Sequence, residues 1–76
     1  MSRYIKEIPG NKILAYGFDH ALGYWYDISN KDDNVVLLEE ESSVLTGLRN
    51  RDFADILIKY DVDEDKVNNV LVDLEI

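Results

Sequence analysis

Residues 12–29, KILAYGFDHALGYWYDIS, decide the fold. They hold three of the five tyrosines, the only tryptophan, the only histidine and two of the four glycines. The apolar run Ile13, Leu14, Ala15, Tyr16 stops at Gly17, and a second run opens at Leu22 and ends near Ser29. That spacing predicts strand, five-residue loop, strand, paired antiparallel. On the second strand Leu22, Tyr24, Tyr26 and Ile28 share one face, and Gly23, Trp25, Asp27 and Ser29 share the other. The first set is the expected core face. A tyrosine can bury its ring and bring its hydroxyl to a partner, whereas an aspartate facing a dry core costs several kcal/mol unless paired. Trp25 is then left on the wetter face.

Upstream, residues 1–11 contain Pro9-Gly10-Asn11, a turn-forming cluster expected to separate a leader segment from the first strand. Arg3, Ile5 and Glu7 alternate with Tyr4, Lys6 and Ile8 without a clean apolar face, so no element is assigned there. Downstream, residues 30–34, NKDDN, read as a turn. The short apolar run VVLL at 35–38 then gives a second hairpin and a three-stranded antiparallel meander over 12–40. Leu37, Leu38, Glu41, Val44, Leu45 and Leu48 also fit one helical face. The β-branched pair Val35-Val36, and Ser42 and Ser43 as caps for a later helix, favour strand.

From Ser43 the period becomes helical. After a short turn of helix ending near Gly47, Asn50 is placed to cap a helix whose stripe is Phe53, Ile56, Leu57 and Tyr60. Asp63 caps a last helix with the stripe Val67, Val70, Leu71 and Leu74. The expected architecture is a single α+β domain over 1–76, with two or three short helices from the 43–76 part packed on one face of the sheet.

The formal charge of −8 is uneven. Residues 1–38 carry five acids against four bases, 5 − 4, a net of −1; residues 39–76 carry eleven against four, 11 − 4, a net of −7. Such a field opposes approach to a phosphate backbone, so direct nucleic-acid binding is not expected. With no cysteine there is neither a disulfide framework nor a thiolate metal site. No apolar run approaches the roughly 20 residues that span a bilayer, and the first residues lack the apolar core of a signal peptide. The expectation is a cytoplasmic protein without membrane contact.

Three constellations could carry chemistry. DVDEDKVNNVLV, residues 61–72, starts like a calcium loop, but its sixth position is Lys66 and its twelfth is Val72, where glycine and a bidentate glutamate are needed. Helix capping explains the aspartates, and no metal or cofactor is expected. Asp19-His20 offers a base, with Asp27 as a third member, yet no nucleophile or oxyanion donor accompanies it, so no catalytic activity is expected. Glu39, Glu40 and Glu41 read as a solvated strand end that deters edge pairing. Trp25 needs cover, from Tyr4 or Ile5 of the leader, from a second copy of the chain as a homodimer, or from a partner protein.

GFDHALGYWYDI resembles a pattern of small uncharacterised bacterial proteins: a GFDH-like loop, an aromatic strand, then an acidic helical C-terminus. The resemblance implies that Gly17, Phe18, Asp19, His20 and Gly23 act as one loop unit, and it implies no activity. The functional expectation is a small acidic protein-interaction module. Its candidate contact residues are Trp25, Asp19, His20 and Asp27 near the loop, and Asp52, Asp55, Glu64, Asp65 and Asp73 on the helices. The alternative is an inhibitor whose carboxylates imitate nucleic-acid charge and occupy the basic groove of a nucleic-acid-handling protein, as phage-encoded anti-defence proteins do.

Overall fold

The computed structural model describes residues 2–32 and 34–76; of the expected turn at 30–34, Asp33 lies outside the described residues. Strands β1 (Tyr4–Ile8), β2 (Lys12–Asp19), β3 (Gly23–Asn30) and β4 (Leu37–Ser42) form one antiparallel sheet in the order β1-β2-β3-β4, and helices α1 (Asn50–Lys59) and α2 (Glu64–Leu71) follow. The fold is α+β, with four strands where three are expected from the sequence. The segment expected as a leader supplies an edge strand. Tyr4 pairs with Tyr16 across β1 and β2, and its ring stacks on that of Tyr16 at 5.4 Å. Ile8 is buried. Lys6 between them hides the apolar alternation, but its Nζ reaches the Asp61 carbonyl at 2.5 Å, so only the stem lies over the core. Pro9, Gly10 and Asn11 become the β1–β2 connection, where Gly10 and Asn11 take positive φ of 86° and 58°. Glycine and asparagine adopt left-handed backbone at least cost.

The expected strand-loop-strand unit is present, with a longer first strand and a second of the same length shifted by one residue. β2 runs through Gly17, Phe18 and Asp19, leaving only residues 20–22 as the connection, so these positions and Gly23 are not one loop unit. Pairing continues because Phe18 lies opposite Tyr24 and Asp19 opposite Gly23. Gly23 carries φ 73°, which breaks the period of two at the start of β3. Leu22 is therefore not on the core face with Tyr24, Tyr26 and Ile28, which are buried as expected. The segment at 37–42 is strand. Its register on β3 slips between Ile28 and Ser29, placing Glu39 and Glu41 on the same face as Tyr26.

Both helices cover that core face. Phe53, fully buried, stacks on Tyr24 at 5.4 Å and lies parallel to Tyr26 at 6.4 Å. Leu57, Ala54, Val67 and Val70 complete the interior with Leu14 and Tyr16. Burying each of the Phe, Leu and Val side chains among them contributes about 1.5–3 kcal/mol. The α2 stripe is narrower than its sequence suggests. Leu71 and Leu74 are 53% and 54% exposed, because the helix has eight residues and ends at Leu71, having turned only Val67 and Val70 inward.

Caps differ in one place. Asp63 accepts from the Asp65 N–H at 3.2 Å, as expected for the start of α2. The residue ahead of α1 is Arg49, with no side-chain cap, and Asn50 is the first helical residue. Its Nδ2 donates instead to the Val70 carbonyl at 3.3 Å and Asp73 Oδ1 at 3.0 Å, tying the start of α1 to the end of α2. The expected turn of helix after Ser43 is a non-helical corner held by Ser42. The Ser42 carbonyl accepts from the Thr46 and Leu48 N–H groups at 3.1 Å each, and Ser42 Oγ accepts from the Leu45 N–H at 3.1 Å. No helix among the described residues is long and apolar enough to cross a membrane.

Candidate functional site

The sheet face away from the helices carries the site, and its shape follows from the register. Trp25 lies opposite Gly17 on β2 and Ser42 on β4, and Asp27 lies opposite Ala15 and Glu40. An indole flanked by residues this small stands beside a hollow. Leu22, displaced by the Gly23 backbone, and Leu45, 70% exposed on the corner after β4, supply apolar walls. The result is a cleft of about 330 Å³ lined by these residues together with Arg3, Asp19, Asp27 and Glu40.

Gly17 sets the cover over Trp25. The chain before β1 passes so close that a Cβ at Gly17 would sit 2.1 Å from the Ser2 carbonyl oxygen. Ser2 is fixed there by its N–H, which donates to the Phe18 carbonyl at 2.8 Å, and by its Oγ, which accepts from the Phe18 N–H at 2.9 Å. The next residue, Arg3, then lays its guanidinium 5.5 Å from the Trp25 ring centroid, within the range of a cation–π contact. Tyr4 and Ile5, the covers that the leader offers as alternatives to a second copy or a partner, do not serve. Tyr4 faces the core against Tyr16, and Ile5 lies opposite Ala15, 64% exposed.

Charge in the cleft is unbalanced. Asp27 and Glu40 are cross-strand partners of like sign, an arrangement that destabilises a sheet. Partial burial raises the Asp27 carboxyl above its ordinary value of 3.8; Arg3 pulls it down and Glu40 pushes it up. Neither Asp27 nor Glu40 takes part in the ion pairs formed among the described residues. Asp19 borders the cleft and caps its own turn, its Oδ1 accepting from the Ala21 N–H at 2.7 Å.

The remaining sequence candidates do not join this site. His20 turns away from it. It sits edge-on to Phe18 at 5.5 Å with Nδ1 3.9 Å from Glu75 Oε1, and it is largely exposed. Asp52 pairs with Arg49 at 3.1 Å, and Asp73 accepts from Asn50. Glu64 and Asp65 occupy the first turn of α2, where the helix dipole favours acids, and Asp55 is exposed on α1. Glu39 and Glu41 are more than a solvated strand end, since the Tyr26 hydroxyl lies 2.6 Å from Glu39 Oε1 and 2.5 Å from Glu41 Oε2.

Of the residues lining the cleft, Trp25, Asp19 and Asp27 are among the candidates read from the sequence, and Arg3, Leu22, Glu40 and Leu45 are not. Of these, Arg3 had a readable signal: it stands immediately before Tyr4, at the head of the alternation that proves to be β1. Compared with family models, curated proteins and solved structures, the chain matches none.

Proposed function

We propose that the protein is a non-catalytic protein-interaction module, acting in the cytoplasm, whose contact surface is the cleft beside Trp25. The carrying observation is the single tryptophan, half-buried on the face the helices leave open, standing in a hollow walled by Leu22 and Leu45. Buried aromatics at the centre of a patch dominate binding energies, and a hollow of this size admits a partner side chain. The helix acids support the nucleic-acid-mimic reading less well. Asp52 and Asp73 already have intramolecular partners, and Glu64 and Asp65 serve a helix start.

The test begins with capture from the native host by wild type and Trp25→Ala side by side, followed by affinity measurement on the captured partner at low and moderate salt. An interaction centred on Trp25 loses about 2 kcal/mol or more in Trp25→Ala and little in a paired charge reversal of Asp52 and Asp55. A partner whose affinity collapses with salt, which competes with DNA or RNA and ignores Trp25→Ala, would establish the mimic instead. Concentration-dependent doubling of mass that Trp25→Ala abolishes would identify the partner as a second copy of the chain.

A further inference from the structure

We propose that the cleft is a receptor for one arginine side chain presented by a partner protein, and that the chain's own Arg3 is its resident stand-in, displaced on binding. The assignment rests on the interaction reading above and names the chemistry that the surface accepts.

Three features of the cleft converge on a planar cation. The first is the indole face of Trp25, on which a guanidinium already lies at 5.5 Å. Tryptophan is the strongest cation–π acceptor among side chains, and arginine uses it more often than lysine does. The second is the Asp27–Glu40 pair, two carboxylates set directly across β3 and β4 on the same face as the indole. Opposed like charges cost the sheet stability, and a cation placed between them offsets that cost. A guanidinium suits the position because its fork can meet carboxylates while its plane stacks on an aromatic, two things an ammonium does less well. The third is the apolar rim of Leu22 and Leu45, which accommodates the methylene stem of a long basic side chain.

Arg3 satisfies this site only in part. It covers the ring and lowers the Asp27 carboxyl electrostatically, yet it forms no ion pair with Asp27 or Glu40 among the described residues, and it is itself exposed. Its reach is limited because Ser2, immediately before it, is fastened to Phe18 by two hydrogen bonds. An arginine arriving from outside is free of that tether and can enter between the two carboxylates. Arg3 therefore acts as a weak internal competitor that keeps the indole covered in the free protein.

The probe is N-acetyl-arginine amide, with N-acetyl-lysine amide and N-acetyl-glutamine amide beside it, titrated while the fluorescence of the sole tryptophan is followed. Arg3→Gln should bind the arginine probe about two- to fivefold more tightly than wild type, since removing a weakly held competitor raises the binding-competent fraction by roughly that factor. Asp27→Asn should abolish the saturable response while the melting temperature stays level or rises, and the lysine probe should bind several-fold more weakly than the arginine probe. Equal response to arginine and lysine that vanishes at moderate salt would show simple charge attraction and overturn the assignment. So would an Arg3→Gln variant that binds no more tightly than wild type, or the absence of saturation in both proteins. Capture of a partner through Trp25 with no response to the arginine probe would remove the arginine assignment and leave the interaction reading standing. A saturable arginine response together with partner capture indifferent to Trp25→Ala would do the reverse.

Discussion

Gly17→Ala offers a test in which the sign of the effect is informative. A glycine inside a strand is ordinarily less stable than alanine by about 0.5–1 kcal/mol, so this substitution in most sheets would be neutral or helpful. Here the added Cβ would lie 2.1 Å from the Ser2 carbonyl oxygen and 2.7 Å from its carbon, backbone atoms that can yield only by moving the segment. Displacing Ser2 breaks its N–H bond to the Phe18 carbonyl and the Phe18 N–H bond to its Oγ. Each is worth about 0.5–1.5 kcal/mol net. Arg3 also leaves Trp25, at a cost of about 0.5–1 kcal/mol for an exposed cation–π pair. Set against the strand gain, the net loss is about 0.5–3.5 kcal/mol, centred near 2, and for a chain of this size each kcal/mol lowers the melting temperature by roughly 4–8 °C. Thermal unfolding gives that shift, and tryptophan emission should move to longer wavelength as the indole is uncovered. A melting temperature that rises, with unchanged emission, would refute the reasoning that Ser2 lies on Gly17 and positions Arg3.

Three further outcomes are expected. Leu57→Ala should cost about 2–5 kcal/mol in denaturant unfolding, because Leu57 is fully buried, whereas Leu71→Ala should stay within about 0.5 kcal/mol, because Leu71 is 53% exposed. The Asp27 carboxyl is raised above 3.8 in the folded protein, first by burial. The native state therefore binds this proton more tightly than the unfolded chain, and the group's contribution to stability is full below pH 3.8 and lost as pH rises through the folded value. Asp27→Asn should flatten that limb of the stability–pH curve and be the more stable protein at neutral pH. Burial, and then the Glu39 and Glu41 carboxylates at its hydroxyl, push the Tyr26 phenol far above 10, so its stabilising proton is retained below that value and lost only under strongly alkaline conditions. In an alkaline absorbance titration its signal should appear together with unfolding.

Where local chemistry decides the outcome, the sequence is a sufficient guide. Tyr24, Tyr26 and Ile28 alternate with polar neighbours, and the alternation alone assigns the core face of β3. Phe53 and Leu57 recur at helical spacing and meet that face, and Asp63 starts α2 because a short carboxylate ahead of a periodic segment can bond the freed N–H groups. The failures share a cause, which is that the deciding contact is distant in sequence. β1 is illegible because Lys6 interrupts its apolar face, and only the approach of Asp61, from the far end of the chain, explains how that lysine is tolerated. Asn50 looks like a cap, but its amide is drawn to Val70 and Asp73. Leu22 follows the period of two until the positive φ of Gly23, a backbone event with no pattern in the residues around it, sends it to the other side.

The candidate site shows the same division more sharply. That Trp25 and Asp27 occupy the open face follows from alternation, but what surrounds them depends on register, which joins residues 17, 25, 27, 40 and 42, and on the Ser2–Phe18 bonds that bring Arg3 over the ring; no local window contains them all. The assembled face violates the rules that make a sheet stable. It sets a glycine and a serine beside the indole where larger cross-strand neighbours would gain packing energy, and it opposes an aspartate to a glutamate. Both departures fall in one cleft, whereas the core under the helices pairs its aromatics, and no buried side-chain polar atom among the described residues lacks a partner. Natural sequences tolerate such inconsistency chiefly where something other than folding is served. The small residues supply room, the opposed carboxylates supply an uncompensated negative field, and Arg3 relieves both only loosely. A single guanidinium would fill that room and neutralise that field together, which is the chemistry proposed for the cleft.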